Sequence, residues 1–200
     1  LENNVFYHPQ LRFQFPVPQG WQYQNTPQQV QMASPDGKAL MILMLAQGTN
    51  LQQAASATLE QFQLQSISSR QTTINGLPAL QVEAQQQQQN GGVMRTLSTF
   101  IQYNNTIYHL IGVSMMADYN AYGNVFLNTM EGFRTLTDQA KINRKPERIR
   151  LRTTSQAGTL EQILRGYNMP AARLEELAIL NGMLLTDRVP SGTMLKTIGQ

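Results

Sequence analysis

The stretch Ile74–Met115, INGLPALQVEAQQQQQNGGVMRTLSTFIQYNNTIYHLIGVSM, decides the fold. Three strand-like runs are set apart by turn formers, Asn90-Gly91-Gly92 between the first two and Asn104-Asn105 between the last two. Asn and Gly tolerate the positive φ that tight hairpins require. On the middle run Leu97, Ile101 and Tyr103 fall on one face, and on the last run Ile107, Ile111, Val113 and Met115 do. This alternation predicts an antiparallel meander with one face turned to a core. Glutamines 85–89 read as a solvent-exposed extension of the first strand.

Upstream, Phe13 and Phe15 alternate with Arg12 and Gln14 as in a half-buried strand, which Pro16 and Pro18 stop before Gly20-Trp21 opens the next run. Val30–Ala33 is a short strand closed by the turn Ser34-Pro35-Asp36-Gly37. Ala39–Ala46, ALMILMLA, is apolar throughout, which predicts a central strand covered on both faces. Asn50 is placed to cap a helix from Leu51 to about Leu64, with a stripe of Leu51, Ala55, Leu59 and Phe62. Ser66–Thr73 is a further strand leading into the meander.

Downstream, Asp118 is placed to cap a helix to about Met130, with Tyr119, Tyr122, Phe126, Met130 and then Phe133 as its apolar stripe. Antiparallel strands with two helices on one face make an α+β domain over residues 1–138. A basic linker, 139–147, leads to a smaller βααβ domain, 148–200. There Ile149 and Leu151 alternate with Arg148, Arg150 and Arg152 as in an edge strand. Thr159 and Gln162 have capping-box spacing ahead of Leu160, Ile163, Leu164 and Tyr167. Pro170 starts a second helix at its first turn, Asn181-Gly182 ends it, and Thr193–Ile198 is the last strand.

Charged residues make up only 14% of the 200. Residues 141–152 carry six basic side chains and one acidic, and so supply all of the net charge of +3. That segment holds no aromatic residue, which argues for a solvated linker and against a nucleic-acid partner. There is no cysteine, so disulfides, thiolate metal sites and Cys nucleophiles are excluded. No apolar run approaches the ~18 residues a membrane span needs. The chain opens on Leu1 without a signal-peptide pattern, as expected of a fragment or processed product.

His8 and His109 are the only histidines, and His109 shares a strand face with Ile107 and Ile111, as a structural histidine would. Carboxylates are scattered, so no metal or cofactor is expected in this chain. No G-x-S-x-G elbow marks a nucleophile. Asn90-Gly91-Gly92 lacks the Lys-Ser/Thr of a phosphate loop.

The segments FQFPVPQGW (13–21) and INGLPALQVEA (74–84), the strand pair up to Met115 and the helix ending in Phe133 resemble the Mog1/PsbP-like fold, over about two-thirds of the chain. Members of that fold are mostly binding or assembly modules. AGTLEQILRGY (157–167), LEELAILNGM (174–183) and VPSGTMLKTI (189–198) resemble a LysM module, with Ala157-Gly158 where that family has Gly-Asp. The LysM resemblance implies a shallow site for N-acetylglucosamine chains, lined by Gly158, Thr159, Asn181, Gly182, Met183 and Leu184.

This succession, with PERIRL between the two parts, resembles the C-terminal accessory region of bacterial M48-family zinc metallopeptidases. The resemblance implies an upstream peptidase domain bearing His-Glu-x-x-His and its zinc; that motif is absent from this sequence. It further implies a periplasmic or otherwise extracytoplasmic setting, and envelope docking or presentation of protein substrates. Two alternatives stand beside it: a separate peptidoglycan-binding envelope protein, and an enzyme with an unrecognised site.

Overall fold

The structure is a computed structural model that describes residues 1–89, 91–143 and 148–199. Asn90 of the expected glycine turn and residues 144–147 of the expected linker lie outside the described residues. The chain forms two compact units, Leu1–Asn143 and Arg144–Gln200.

The first unit runs β1 (Val5–His8), β2 (Phe13–Pro16), β3 (Gln22–Asn25), β4 (Gln29–Ala33), β5 (Ala39–Ala46), α1 (Leu51–Gln61), β6 (Gln65–Ile74), β7 (Leu77–Gln87), β8 (Val93–Tyr103), β9 (Thr106–Met115), α2 (Met116–Glu131), β10 (Arg134–Thr135) and α3 (Gln139–Ile142). Seven strands make one antiparallel sheet in the order β3-β4-β5-β9-β8-β7-β6. Its consecutive neighbours β7, β8 and β9 are the expected meander. The β8–β9 turn uses Asn104 and Asn105 at φ 50 and 59, the left-handed values those residues tolerate. A short sheet, β1-β2-β10, adds Phe6, Phe13 and Phe15 to the larger core.

The meander has two buried faces, not one. Leu97, Ile101, Tyr108 and Leu110 join Phe126 and Met130 of α2 in the larger core. Leu80, Val82, Phe100 and Ile107 meet Leu51, Ala54 and Ala55 of α1 in a second. The two helices therefore cover opposite faces of the sheet. On β9 the main-core face is the even-numbered one, which holds Tyr108, Leu110, Gly112 and Ser114. That face reads as weak because Gly112 contributes no side chain; a Cβ there would stand 2.3 Å from the Phe126 ring. On β5, Ala39, Met41 and Leu43 are fully buried while Leu40, Ile42 and Met44 are only half covered.

Asn50 caps α1 as expected, its Oδ1 accepting from the Gln53 amide at 2.9 Å. Phe62 lies past the helix end and is 41% exposed, so it leaves the predicted stripe. For α2 the cap position is Met115, with no side-chain bond. Asp118 falls inside the first turn, where its charge suits the helix N-terminus, and pairs with Lys38 at 2.9 Å. Residues 139–142 of the expected linker form α3, capped by Asp138 and tied to the first unit by Lys141, which pairs with Glu2 and lies over the Tyr7 ring.

The second unit runs β11 (Arg148–Thr153), β12 (Gly158–Thr159), α4 (Leu160–Gly166), a 3-10 turn (Ala171–Arg173), α5 (Leu174–Asn181), β13 (Arg188–Val189) and β14 (Met194–Gly199). β11 pairs with β14 and β12 with β13. The core is Leu160, Leu164, Leu174, Leu177, Ala178, Val189 and Leu195. Pro170 precedes the 3-10 turn rather than opening α5. The alternation on β11 buries neither face: Ile149 is 58% and Leu151 64% exposed. They pair with Ile198 and Lys196, on the face of β14 opposite to its buried residues Leu195 and Thr197.

Candidate binding site

Parity along β7 sets up a cavity in the first unit. Ala79 packs into the larger core, so Gln81 and Glu83, two and four residues on, face the same α2 side. Register places Arg70 of β6 beside Gln81, Ser68 beside Glu83, and Leu97 of β8 across from Glu83. Over this floor stands one face of α2, with Tyr119, Gly123, Asn124 and Leu127. The open-sided space between them is about 590 Å³.

Its polar groups are organised. The Arg70 guanidinium donates to Gln81 Oε1 at 2.7 Å. Arg95 donates to Glu83 Oε2 at 2.8 Å and its guanidinium carbon lies 5.4 Å from the centre of the Tyr119 ring. Gln81 is 7% exposed, and its Nε2 has no hydrogen-bond partner. A buried donor in that state costs about 1–3 kcal/mol. Burial, reinforced by the charge of Glu83, pushes the Tyr119 hydroxyl above its ordinary pKa. Gly123 adds room, because a glycine in a helix interior puts no side chain into the wall.

None of these residues stands out in the sequence as a site. Gln81 and Glu83 within LPALQVEA look like the solvent face of a strand, and nothing local links residues 68–70 to 119–127. One usable signal was a glutamine between apolar neighbours on a strand otherwise rich in core residues.

The residues singled out for glycan contact are found at the ends of α4 and α5. Thr159 closes the expected capping box: its Oγ1 accepts from the Gln162 amide at 3.3 Å and its own amide donates to Gln162 Oε1 at 3.0 Å. Gly182 is the left-handed cap of α5, at φ 66. Asn181 is fully occupied: Nδ2 donates to the carbonyls of Leu177 and Lys196, and Oδ1 accepts from the Lys196 amide. Gly158 and Thr159 pair with Val189 and Arg188, and the Glu161 amide donates to the Leu185 carbonyl, so the two loops are neighbours. Met183 is half-buried and Leu184 is exposed.

His109 is 1% exposed, stacks on Phe100 at 4.3 Å between ring centres, and shares a 2.9 Å hydrogen bond between Nε2 and Ser98 Oγ. Burial pulls its pKa down to about 3. It is more deeply enclosed than the strand pattern predicts, and it is neutral and sealed from solvent. His8 takes the Leu11 amide on Nδ1 in a turn. Among the described residues no group of three or more His, Cys, Asp or Glu is placed to hold a metal ion. No described helix is long and apolar enough to cross a membrane.

No protein-family model matches the sequence, and no curated protein does. Solved structures do. Cyanobacterial PsbP (CyanoP) from Synechocystis sp. PCC 6803 superposes with a TM-score of 0.51 at 9% identity, over 66% of this chain and 91% of that one. A protein of Bacteroides thetaiotaomicron VPI-5482 gives 0.50 at 10% identity, over 74% of this chain and 53% of that one. The Saccharomyces cerevisiae Ran-binding protein Mog1p gives 0.49 at 10% identity, over 66% and 94%. At these identities the likeness is one of fold.

Proposed function

Starting from a PsbP-like α+β fold, we propose that this chain is a non-catalytic binding region, the C-terminal accessory part of an exported M48-family zinc metallopeptidase of the bacterial envelope. It docks the peptidase there or presents protein substrates to it. The observation that carries this reading is the succession of two modules. A PsbP-like unit is followed by a strand–helix–helix–strand unit, read as a degenerate LysM-like module, whose first helix opens on the Thr159–Gln162 capping box. The engagement of both histidines in internal bonds and packing adds support.

The intact gene product tests it. A zinc-binding His-Glu-x-x-His helix is expected ahead of Leu1. Deleting residues 1–200 from that protein then spares cleavage of a short peptide and slows cleavage of a protein substrate. A gene product without such a motif, or equal loss on both substrates, overturns the proposal.

A peptidoglycan-binding role is the second reading, favoured by the exposed Leu184 on the loop that neighbours Gly158 and Thr159. Asn181 is spoken for by Lys196 and Leu177, so backbone amides and the Met183–Leu184 surface would have to carry the sugar. Retention on purified sacculi that drops for Leu184→Asp supports this reading; absence of retention removes it.

A further inference from the structure

The cavity between α2 and the β6-β7-β8 face is lined by a cationic group, an anionic group and apolar side chains. At one end Arg70 keeps a cationic guanidinium at the rim, donating to Gln81 Oε1, and among the described residues it has no carboxylate partner. At the other end Glu83 gives Oε2 to Arg95 and lines the cavity with its carboxylate. Gln81 and Glu83 are two residues apart on one strand, about 7 Å. Leu97, across from Glu83 on β8, and Leu127 and the Tyr119 ring of α2 complete the lining.

From this arrangement we infer that the cavity binds a short peptide with both termini free, of dipeptide to tripeptide length. Its C-terminal carboxylate lies on Arg70, its ammonium on Glu83, and its side chain over Leu97 and Leu127. The length follows from the spacing: an extended dipeptide separates its termini by about 7 Å, whereas a free amino acid is too short to reach both ends. The volume of about 590 Å³ lies within the range of small-molecule pockets and leaves space for a leucine-sized side chain. This inference rests on the cavity alone and holds whether or not a peptidase domain precedes the chain.

Calorimetric titration of the chain with Ala-Leu, N-acetyl-Ala-Leu and Ala-Leu amide tests it. Saturable binding of Ala-Leu is expected, weakened at least roughly tenfold by either blocking group, since each removes one charged contact. Arg70→Ala, at an exposed position, is expected to weaken Ala-Leu and leave Ala-Leu amide unchanged. Gly123→Leu fills the space and abolishes binding. The nearest neighbour of a Cβ at Gly123 is the Tyr119 ring, at an ordinary 3.5 Å, so the helix accepts it. An unchanged circular dichroism spectrum and urea midpoint show that Gly123→Leu is folded. No saturable binding of Ala-Leu or Ala-Ala-Leu, equal binding of the blocked forms, or undiminished binding by Gly123→Leu overturns the inference.

Discussion

Phe126 of α2 lies against the bare backbone of Gly112 on β9: a Cβ on that glycine would be 2.3 Å from the ring. The helix sits as close to the sheet as it does because one strand residue has no side chain. Gly112→Ala is expected to destabilise the first unit by about 2–3 kcal/mol through overpacking, read as a lower urea midpoint. Adding Phe126→Leu should recover part of that loss, because the smaller side chain relieves the clash. Additive losses in the double variant would show that the contact is not the cause.

Acid should unsettle the protein through His109 before the carboxylates titrate. Its folded-state pKa of about 3 lies below the ordinary 6.5. Above pH 6.5 both states are neutral and the stability is intact. Below it the unfolded chain takes up a proton that the folded chain refuses, so stability falls until the pH nears 3. Between pH 6.5 and about 5 the loss is roughly 2 kcal/mol. His8, also shifted down, chiefly by burial, acts in the same direction. In His109→Gln most of this slope should vanish from urea unfolding curves, and in His8→Gln most of it should remain.

In the second unit, Asn181 joins the end of α5 to β14 by three hydrogen bonds through Leu177 and Lys196. Asn181→Ala strands those backbone groups and should cost about 2 kcal/mol. Thr159→Ala, which breaks the capping box, should cost about 1 kcal/mol. Amide exchange is the measurement that fits: protection should drop in residues 148–199 and stay unchanged in 1–143. A loss spread over both units would contradict the division of the chain.

Ile149 and Leu151 make no contribution to the buried core of their unit. Replacing both with Thr should leave its stability within about 0.5 kcal/mol of the starting protein. A larger loss in thermal unfolding would mean that this face is covered in solution.

The sequence makes the strands of the sheet legible, since Ile74–Met115 and ALMILMLA signal by alternation and by length. Parity on β9 is hidden because Gly112 removes a hydrophobic residue from the face that carries the main core, so the opposite face looks stronger. The alternation of Ile149 and Leu151 is real, yet both side chains stay exposed. Asn50, Thr159 and Gly182 are readable as caps because capping acts over three or four residues. Asp118 misleads because an acidic residue suits both the cap and the first turn. The cavity is beyond local reading: Arg70, Gln81 and Glu83 become neighbours of Tyr119 only through strand register and the path of α2.

The sheet ends differently at its two sides. At one, β3 is four residues long and wholly exposed; at the other, β6 is ten residues long, largely polar, and shifts register between Ser66 and Ser68. An open edge invites another strand to add on, and shortness, polarity and irregular pairing each discourage it. The fold therefore limits its own growth. Strand addition from a second copy is thereby disfavoured at both edges.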